Sequence, residues 1–493
     1  MKPPAQWGLG LALVFLLAAR AGADLAGDIR AALGDRILAR AQAGIEVVEL
    51  GESPNQARVL FSQNAAVPLI PASNMKLVTT TAAYDRLGLD FRFRTALVKR
   101  GEDLIIVGDG DPSFGDAELL KKAGWDVTTV FQHWAAVLKK QGITAVRNVL
   151  VDDSVFDEQM VHPNWDGRHL LRKYGCQVAG FNLNVNSVDF YLRATRAGQP
   201  VSVLAAPASN YYTLVNRCVT GRESLVGLTR ADGRNEITLS GSSPGSGETS
   251  FSISIHDPSL FSATVFAETI AGAGIKVSGV GRDRTVRSQV LAGNAKEKGL
   301  VVLAVHETPL TAVVHRANKD SINLYAEALC KRVGSAETGQ SGSWAYGTAA
   351  TGALLKRVGV EEKEYRLDDG CGLSERNAIS ANAICRLLIH NFHAKHAQAF
   401  MESLSVAGQD GTLEKRFEGS DLRGRVIAKT GYIKGVNALS GYLKTRDNRW
   451  YVFSILFNDL PDGTYERMKG VHEAIVKAID RHHESRSAAR AGR

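Results

Sequence analysis

The chain has 493 residues, 44% hydrophobic and 22% charged, which suits a folded protein with two or three cores and excludes a disordered one. Its formal charge of +8, two units of which come from Lys2 and Arg20, is spread without aromatic interleaving, so no basic stripe points to a nucleic-acid partner. The five cysteines, Cys176, Cys218, Cys330, Cys371 and Cys385, leave at least one thiol free, and neither C-x-x-C nor H-E-x-x-H occurs, so no metal is expected.

Residues 1–23 read as a signal peptide: Lys2, the apolar run WGLGLALVFLLAA, and a small-residue site at Ala21-Gly22-Ala23 that would be cut before Asp24. The run is short for a bilayer span and no later stretch is long enough, so the expectation is an exported protein of the periplasm or cell-wall space with no integral membrane segment after signal removal. Next come the amphipathic LAGDIRAALGDRILARAQ, a hairpin of GIEVVELG and ARVLFSQN, and a helix after Ser73, LVTTTAAYDRLG. From 91 to 298 the chain is strand-rich and broken by Gly, Pro, Asn and Ser turns, as in a β-rich inserted region of two subdomains. From 299 helical patterns return, in HRANKDSINLYAEALCKRVG and NAICRLLIHNFHA. RVIAKTG, NALSGYLKT and RWYVFSILFN then read as strands, the last two joined at Arg446-Asp447-Asn448. The helix TYERMKGVHEAIVKAIDR precedes a basic tail, 481–493, expected to be flexible and solvated. Residues 24–90 and 299–480 can thus share one antiparallel sheet covered by helices, an α+β fold.

Three short motifs carry chemistry. Ser73-Asn74-Met75-Lys76 is the only S-x-x-K in the chain and puts a hydroxyl and an amine on one helical face. Serine needs a base to become a nucleophile, and a lysine with a lowered pKa can serve. Lys429-Thr430-Gly431 is the only K-[ST]-G and ends a strand that can hold a carboxylate beside the nucleophile. S-x-N occurs at Ser53, Ser62, Ser321 and Ser380. Position favours Ser321-Ile322-Asn323, between the other two motifs, whereas Ser380 suits an N-cap.

In that order S-x-x-K, S-x-N and K-T-G are the signature of serine penicillin-binding proteins and β-lactamases, a motif set that is a standard example of this chemistry. The stretches GDGDPSFG, DDSVF, SINLYAEAL, DDGCGLSERN, VAGQDGTLEKRF and AKTGYIKGVNALSGY resemble the class C low-molecular-weight penicillin-binding proteins, the D-alanyl-D-alanine carboxypeptidase/endopeptidase family (peptidase family S13). The spacing 321 − 73 = 248 residues fits that inserted branch. The resemblance implies a β-lactamase/transpeptidase-like domain carrying large inserted domains, and no cofactor. It implies acyl transfer on peptidoglycan stem peptides, with β-lactams as covalent inhibitors. Ser73 would be the nucleophile and Lys76 its base, its pKa held down by Lys429 and limited solvent. Ser321 would pass a proton to the leaving amine, Asn323 would bind the substrate amide, and Lys429 with Thr430 the terminal carboxylate. The strand beyond Gly431 would face the substrate, with the N–H groups of Ser73 and Tyr432 as oxyanion donors. Asp152 and Phe156 would approach the acceptor side chain, and Lys434 the substrate.

The chain departs from the family at D-G-C-G-L-S-E-R-N, where Cys371 replaces a serine and Arg376 is displaced by one position. The family's inserted-domain disulfides suggest only Cys176 with Cys218. Among rival motifs, Gly241-Ser242-Ser243-Pro244-Gly245 matches a nucleophile elbow, but Pro244 lacks the N–H such an elbow needs, so a loop is expected. GDGDPSFG has a misplaced third glycine for a dinucleotide loop and reads as a structural turn. The alternatives are a β-lactamase, against which the missing E-x-x-L-N loop speaks, and a catalytically silent wall-binding scaffold.

Overall fold

Side chains on the strands of the main sheet alternate between two cores, as the period of two requires. The computed structural model describes residues 24–231, 233–244, 249–291 and 299–491, so the expected signal peptide lies outside them. The antiparallel main sheet runs in the order Ser405–Val406, Val426–Ile433, Val436–Lys444, Trp450–Asn458, Gln42–Glu49 and Arg58–Gln63. Ala438, Tyr442, Val452 and Leu456 pack on one face with Leu77, Val78 and Tyr325. Leu439, Leu443, Phe453 and Ile455 pack on the other with Leu25 and Ile29 from the first helix, Leu25–Leu33, and Ile475 and Ile479 from the last. Asn448 takes a left-handed backbone (φ 63°) in the hairpin that joins the two central strands.

The insertion is built on a mixed five-stranded sheet, in the order Lys276–Arg282, Ala145–Asp152, Asp103–Val107, Arg92–Arg100 and Leu300–Pro309. Phe114, Phe131, Trp134, Phe181 and Phe266 fill its core, which also includes the helices Thr129–Lys140 and Pro258–Gly272. Two three-stranded sheets complete it.

Several expectations change. The insertion ends near 309 rather than 298, because Leu300–Pro309 pairs along its length with Arg92–Arg100. The tail is not free from 481: the last helix, Tyr465–Ala491, continues into it, His483 hydrogen-bonds Tyr451 at 2.8 Å, and Arg486 reaches Glu49 at 3.3 Å. Cys176 and Cys218 do not pair; all five cysteines are free, and these two sit in separate cores. Gly241–Ser243 belong to the strand Glu236–Ser243, not a loop, and Ser243 is buried. Ser380 caps the helix Ala381–His393, its Oγ accepting from Ala383 N at 2.9 Å.

GDGDPSFG is structural, as expected, but it also ties the insertion to the helical layer. Asp109 holds Arg332, and nearby Asp116 holds Arg316 at 3.0 Å and accepts from Tyr325 Oη at 2.6 Å.

Candidate active site

Ser73 lies in the 3-10 turn Ala72–Asn74 that leads into the helix Met75–Leu87. Ala72 has φ 47°, a left-handed conformation that a side chain adopts only when its surroundings over-determine it. Two glycines provide those surroundings. A Cβ on Gly372 would stand 1.8 Å from Ala72 O, and one on Gly431 would stand 2.6 Å from Pro71 O, so the DGCG loop and the Lys429 strand both close on the Ser73 turn at backbone distance.

The Lys76 side chain is fully buried and its Nζ has three neighbours: Ser73 Oγ at 3.0 Å, Asn323 Oδ1 at 2.7 Å and Cys371 O at 3.0 Å. Asn323 and Cys371 present oxygens that can only accept. A neutral amine would donate its two hydrogens to them and turn its lone pair to the Ser73 hydroxyl, the orientation a general base needs. Burial pushes the Lys76 pKa down, against the pull of nearby Glu327 and Asp369. Burial also lowers Lys429 strongly, with Lys76 as the next cause. Desolvation is the leading cause on both lysines, and the repulsion between the two like charges disfavours protonating both together.

Lys429 Nζ donates to Ser321 Oγ at 2.9 Å and to Thr430 O at 2.9 Å. Ser321 also has a left-handed backbone, φ 60°, just before the helix Asn323–Thr338, and Asn323 Nδ2 donates to Tyr174 O at 2.8 Å. The short strand Ser405–Val406 pairs only with Ile427 and Ala428, so among the described residues the Lys429 strand is open along that edge from Lys429 onward. Thr430 Oγ1 donates to Thr412 Oγ1 at 2.9 Å. A cleft of about 410 Å³ opens over Ser73 and Asn323, bounded by Leu373, Tyr432 and Lys434 and, from the insertion, His169 and Tyr174. Lys434 is exposed and pairs with Asp462 at 3.1 Å; Tyr432 packs on Tyr465 with ring centroids 4.5 Å apart.

Asp152 and Phe156 do not reach this cleft. Asp152 is buried and accepts from Ser154 N at 2.9 Å and Arg287 N at 2.6 Å. The Phe156 ring packs on Gly110, where a Cβ would lie 2.3 Å away. Both are therefore structural residues of the insertion. Arg376 is exposed and contributes its carbonyl to Arg366 Nε at 2.6 Å. The Cys371 thiol lies 4.0 Å from Asp369, and burial pushes its pKa well up.

Motif reading missed the support beneath Lys76. Glu327, one turn along the Asn323 helix, accepts from Cys371 N at 2.7 Å, Gly370 N at 3.1 Å and Trp344 Nε1 at 2.6 Å. Asp369 accepts from Gly372 N and Ser374 N, each at 2.7 Å, and from Trp165 Nε1 at 2.9 Å. Burial and Asp369 together push Glu327 up to about 7. Glu327, Asp369 and Cys371 bring possible ligand atoms within 4.8 Å of one another. The carboxylate oxygens already accept N–H groups, which suits a clamp on the DGCG loop better than a cation site. Thr412, Tyr174 and His169 were also missed. Glu327 and Thr412 stand in the quoted stretches SINLYAEAL and VAGQDGTLEKRF; Tyr174 and His169 had no local signal.

The family model described as the D-Ala-D-Ala carboxypeptidase 3 (S13) family matches residues 25–481. A D-alanyl-D-alanine carboxypeptidase of Actinomadura sp. is 31% identical over 88% of this chain and 81% of its own length. The D-alanyl-D-alanine carboxypeptidase DacB of Haemophilus influenzae is 24% identical over 86% of this chain and 87% of its own. The crystal structure of penicillin binding protein 4 (dacB) from Haemophilus influenzae is similar in fold, with TM-score 0.73 and 23% identity over 91% of this chain and 97% of that one.

Proposed function

The chain belongs to the D-Ala-D-Ala carboxypeptidase 3 (S13) family, and from that premise we propose that Ser73 is its acylated nucleophile and Lys76 the base. The protein is a serine-type D-Ala-D-Ala carboxypeptidase with the mixed fold of the penicillin-binding proteins. The observation that carries the site assignment is the Lys76 amine, 3.0 Å from Ser73 Oγ with Asn323 and Cys371 oxygens available to take its hydrogens.

Ser73 Oγ attacks the carbonyl carbon between two terminal D-alanines while its proton passes to Lys76. The N–H groups of Ser73 and Tyr432 hold the oxyanion, worth about 3 kcal/mol per donor in comparable sites. Ser321, hydrogen-bonded to Lys429 at 2.9 Å, relays the proton from Lys76 to the departing D-alanine amine as the C–N bond breaks, which returns Lys76 to the neutral form and leaves Ser321 protonated. The substrate's terminal carboxylate lies against Lys429 and Thr430 and supplies the counter-charge that the buried Lys429 lacks. Asn323 orients the substrate amide, and Lys434 and Tyr432 bound the rest of the peptide. Water activated by Lys76 then hydrolyses the ester and regenerates Ser73. Stem peptides of peptidoglycan are the substrates, and cross-link cleavage uses the same steps with a longer leaving amine. The signal-like residues 1–23 support action in the periplasm or cell-wall space.

Incubation with a fluorescent penicillin tests the assignment. Stable labelling of the wild type and none of Ser73→Ala is expected, followed by D-alanine release from a pentapeptide. Labelling that survives Ser73→Ala refutes the nucleophile. Rapid turnover of the label would indicate a β-lactamase, and no labelling a silent scaffold.

A further inference from the structure

A second concave site lies away from Ser73, on the face of the insertion's five-stranded sheet that carries the helix Val286–Leu291. It is a groove of about 390 Å³, within the range of about 300–1,000 Å³ typical of ligand sites. Ala96, Val107, Val302 and Val305 make an apolar floor, and Arg92, Arg94, Arg287 and Arg332 stand around it. No serine, cysteine or histidine is among its lining residues, so the groove is equipped to bind rather than to react.

Its charges do not balance. Asp109 serves two guanidinium groups at once, Arg287 at 2.8 Å and Arg332 at 3.2 Å. Arg94 pairs with the half-exposed Glu307 at 3.1 Å, and among the described residues Arg92 has no ion-pair partner. Four cations therefore face two carboxylates. Arg332, stacked 5.0 Å over Phe91, is held below the usual guanidinium range by burial, with Arg287 adding to the effect, even though Asp109 touches it.

The strand Leu300–Pro309 points to the shape of the missing anion. It ends the sheet order, pairing with Arg92–Arg100 alone, and so presents a free edge among the described residues. Edge strands are ordinarily blunted by charge, proline or a cover. This one instead exposes Val301, Val302 and Val305 at 56%, 46% and 42%. A free edge pairs with an extended main chain, valines accept small apolar side chains, and surplus guanidinium groups accept a carboxylate. A lipid headgroup or a free phosphate would satisfy only the last of these.

We propose that the free edge of Leu300–Pro309 takes an extended, carboxylate-terminated peptide by strand addition, its C-terminus turning over Val305 into the arginine-lined groove on the adjoining face, the peptide being a stem segment of the wall polymer that is not itself being cut. The identity of that peptide rests on the carboxypeptidase reading above. Arg332 is on the helix that begins with Asn323, nine residues further along, or about 14 Å of helical rise. The groove and the cleft are thus fixed to one rigid element, which suits an anchoring site for polymeric substrate.

The test uses the intact protein acylated with benzylpenicillin, so that Ser73 is blocked, titrated calorimetrically with a diacetylated Lys-D-Ala-D-Ala tripeptide. Saturable binding is expected, weakened at least tenfold by Arg92→Glu and by Val305→Glu, with melting temperatures checking that each variant is folded. Absence of binding, or binding that both variants retain, overturns the site. Arg92-dependent binding of inorganic phosphate or anionic phospholipid vesicles without the tripeptide overturns the peptide assignment. A protein that takes up no penicillin refutes the catalytic reading instead. The groove is then judged by the same two variants in unacylated protein, where undiminished tripeptide binding overturns it.

Discussion

The catalytic cleft and the junction between insertion and helical layer both bury cations, and they treat them in opposite ways. At the junction each cation meets a carboxylate: Arg316 has Asp116 at 3.0 Å, and Lys331 has Asp157 at 2.6 Å with the Trp344 ring 3.9 Å away. In the cleft Lys76 and Lys429 are buried against hydroxyl, amide and carbonyl oxygens. Burial lowers Lys331 as it lowers the cleft lysines, but the touching Asp157 carboxylate opposes that shift and fixes two elements together, whereas contact with neutral acceptors alone lets desolvation favour the free amine. The junction uses buried charge for attachment, and on the proposed assignment the cleft uses it for reactivity.

The largest effect should come from the cleft. Lys76→Met keeps the buried volume and removes the proposed base, so acylation by penicillin should slow by roughly 1,000-fold or more, measured by stopped-flow or gel labelling, with little loss of stability. The wild-type rate should also fall on acidification, because protonating Lys76 removes its lone pair; a flat pH profile would argue against Lys76 as base. At the junction the result should be reversed. Asp116→Ala leaves Arg316 buried without its main partner and should cost about 3 kcal/mol in denaturant unfolding, while the folded fraction still acylates at close to the wild-type rate. If both variants lost activity and stability together, the contrast would collapse.

Glu327 tests the boundary between the two regions, since it is a buried carboxylate that serves the cleft through the Cys371 peptide. Glu327→Gln should slow acylation by about tenfold, the scale of one weakened hydrogen bond to a charged group, and displace the acid limb of the pH–rate profile. Its linkage has a definite sign. Folding raises its pKa from 4.5 to about 7. Its contribution to stability is therefore complete below about 4.5 and lost as pH rises through about 7. Melting temperatures across that window should decline in the wild type and decline less in Glu327→Gln.

The hairpin 42–63, the C-terminal strands and the nucleophile helix were legible because alternation and helical spacing are local signals. The insertion boundary was not, because Leu300–Pro309 reads as a short apolar run and only its pairing with Arg92–Arg100 assigns it to the insertion. The same limit placed Asp152 and Phe156 wrongly: a motif by resemblance says nothing about which way a buried side chain points. Cys176 and Cys218 were a pairing on paper that two separate cores prevent.

The groups proposed to react, and the order in which they occur, are legible in the sequence alone. Ser73 and Lys76 are three residues apart on one helix, and that proximity survives any arrangement of the rest. Tertiary structure alone decided what surrounds the amine. Its acceptors on Asn323 and Cys371 are 247 and 295 residues away, and they converge only because Gly372 and Gly431 let two backbones close on the Ser73 turn. An i, i+3 contact follows from helical geometry, whereas desolvating an amine among chosen oxygens depends on how distant segments pack.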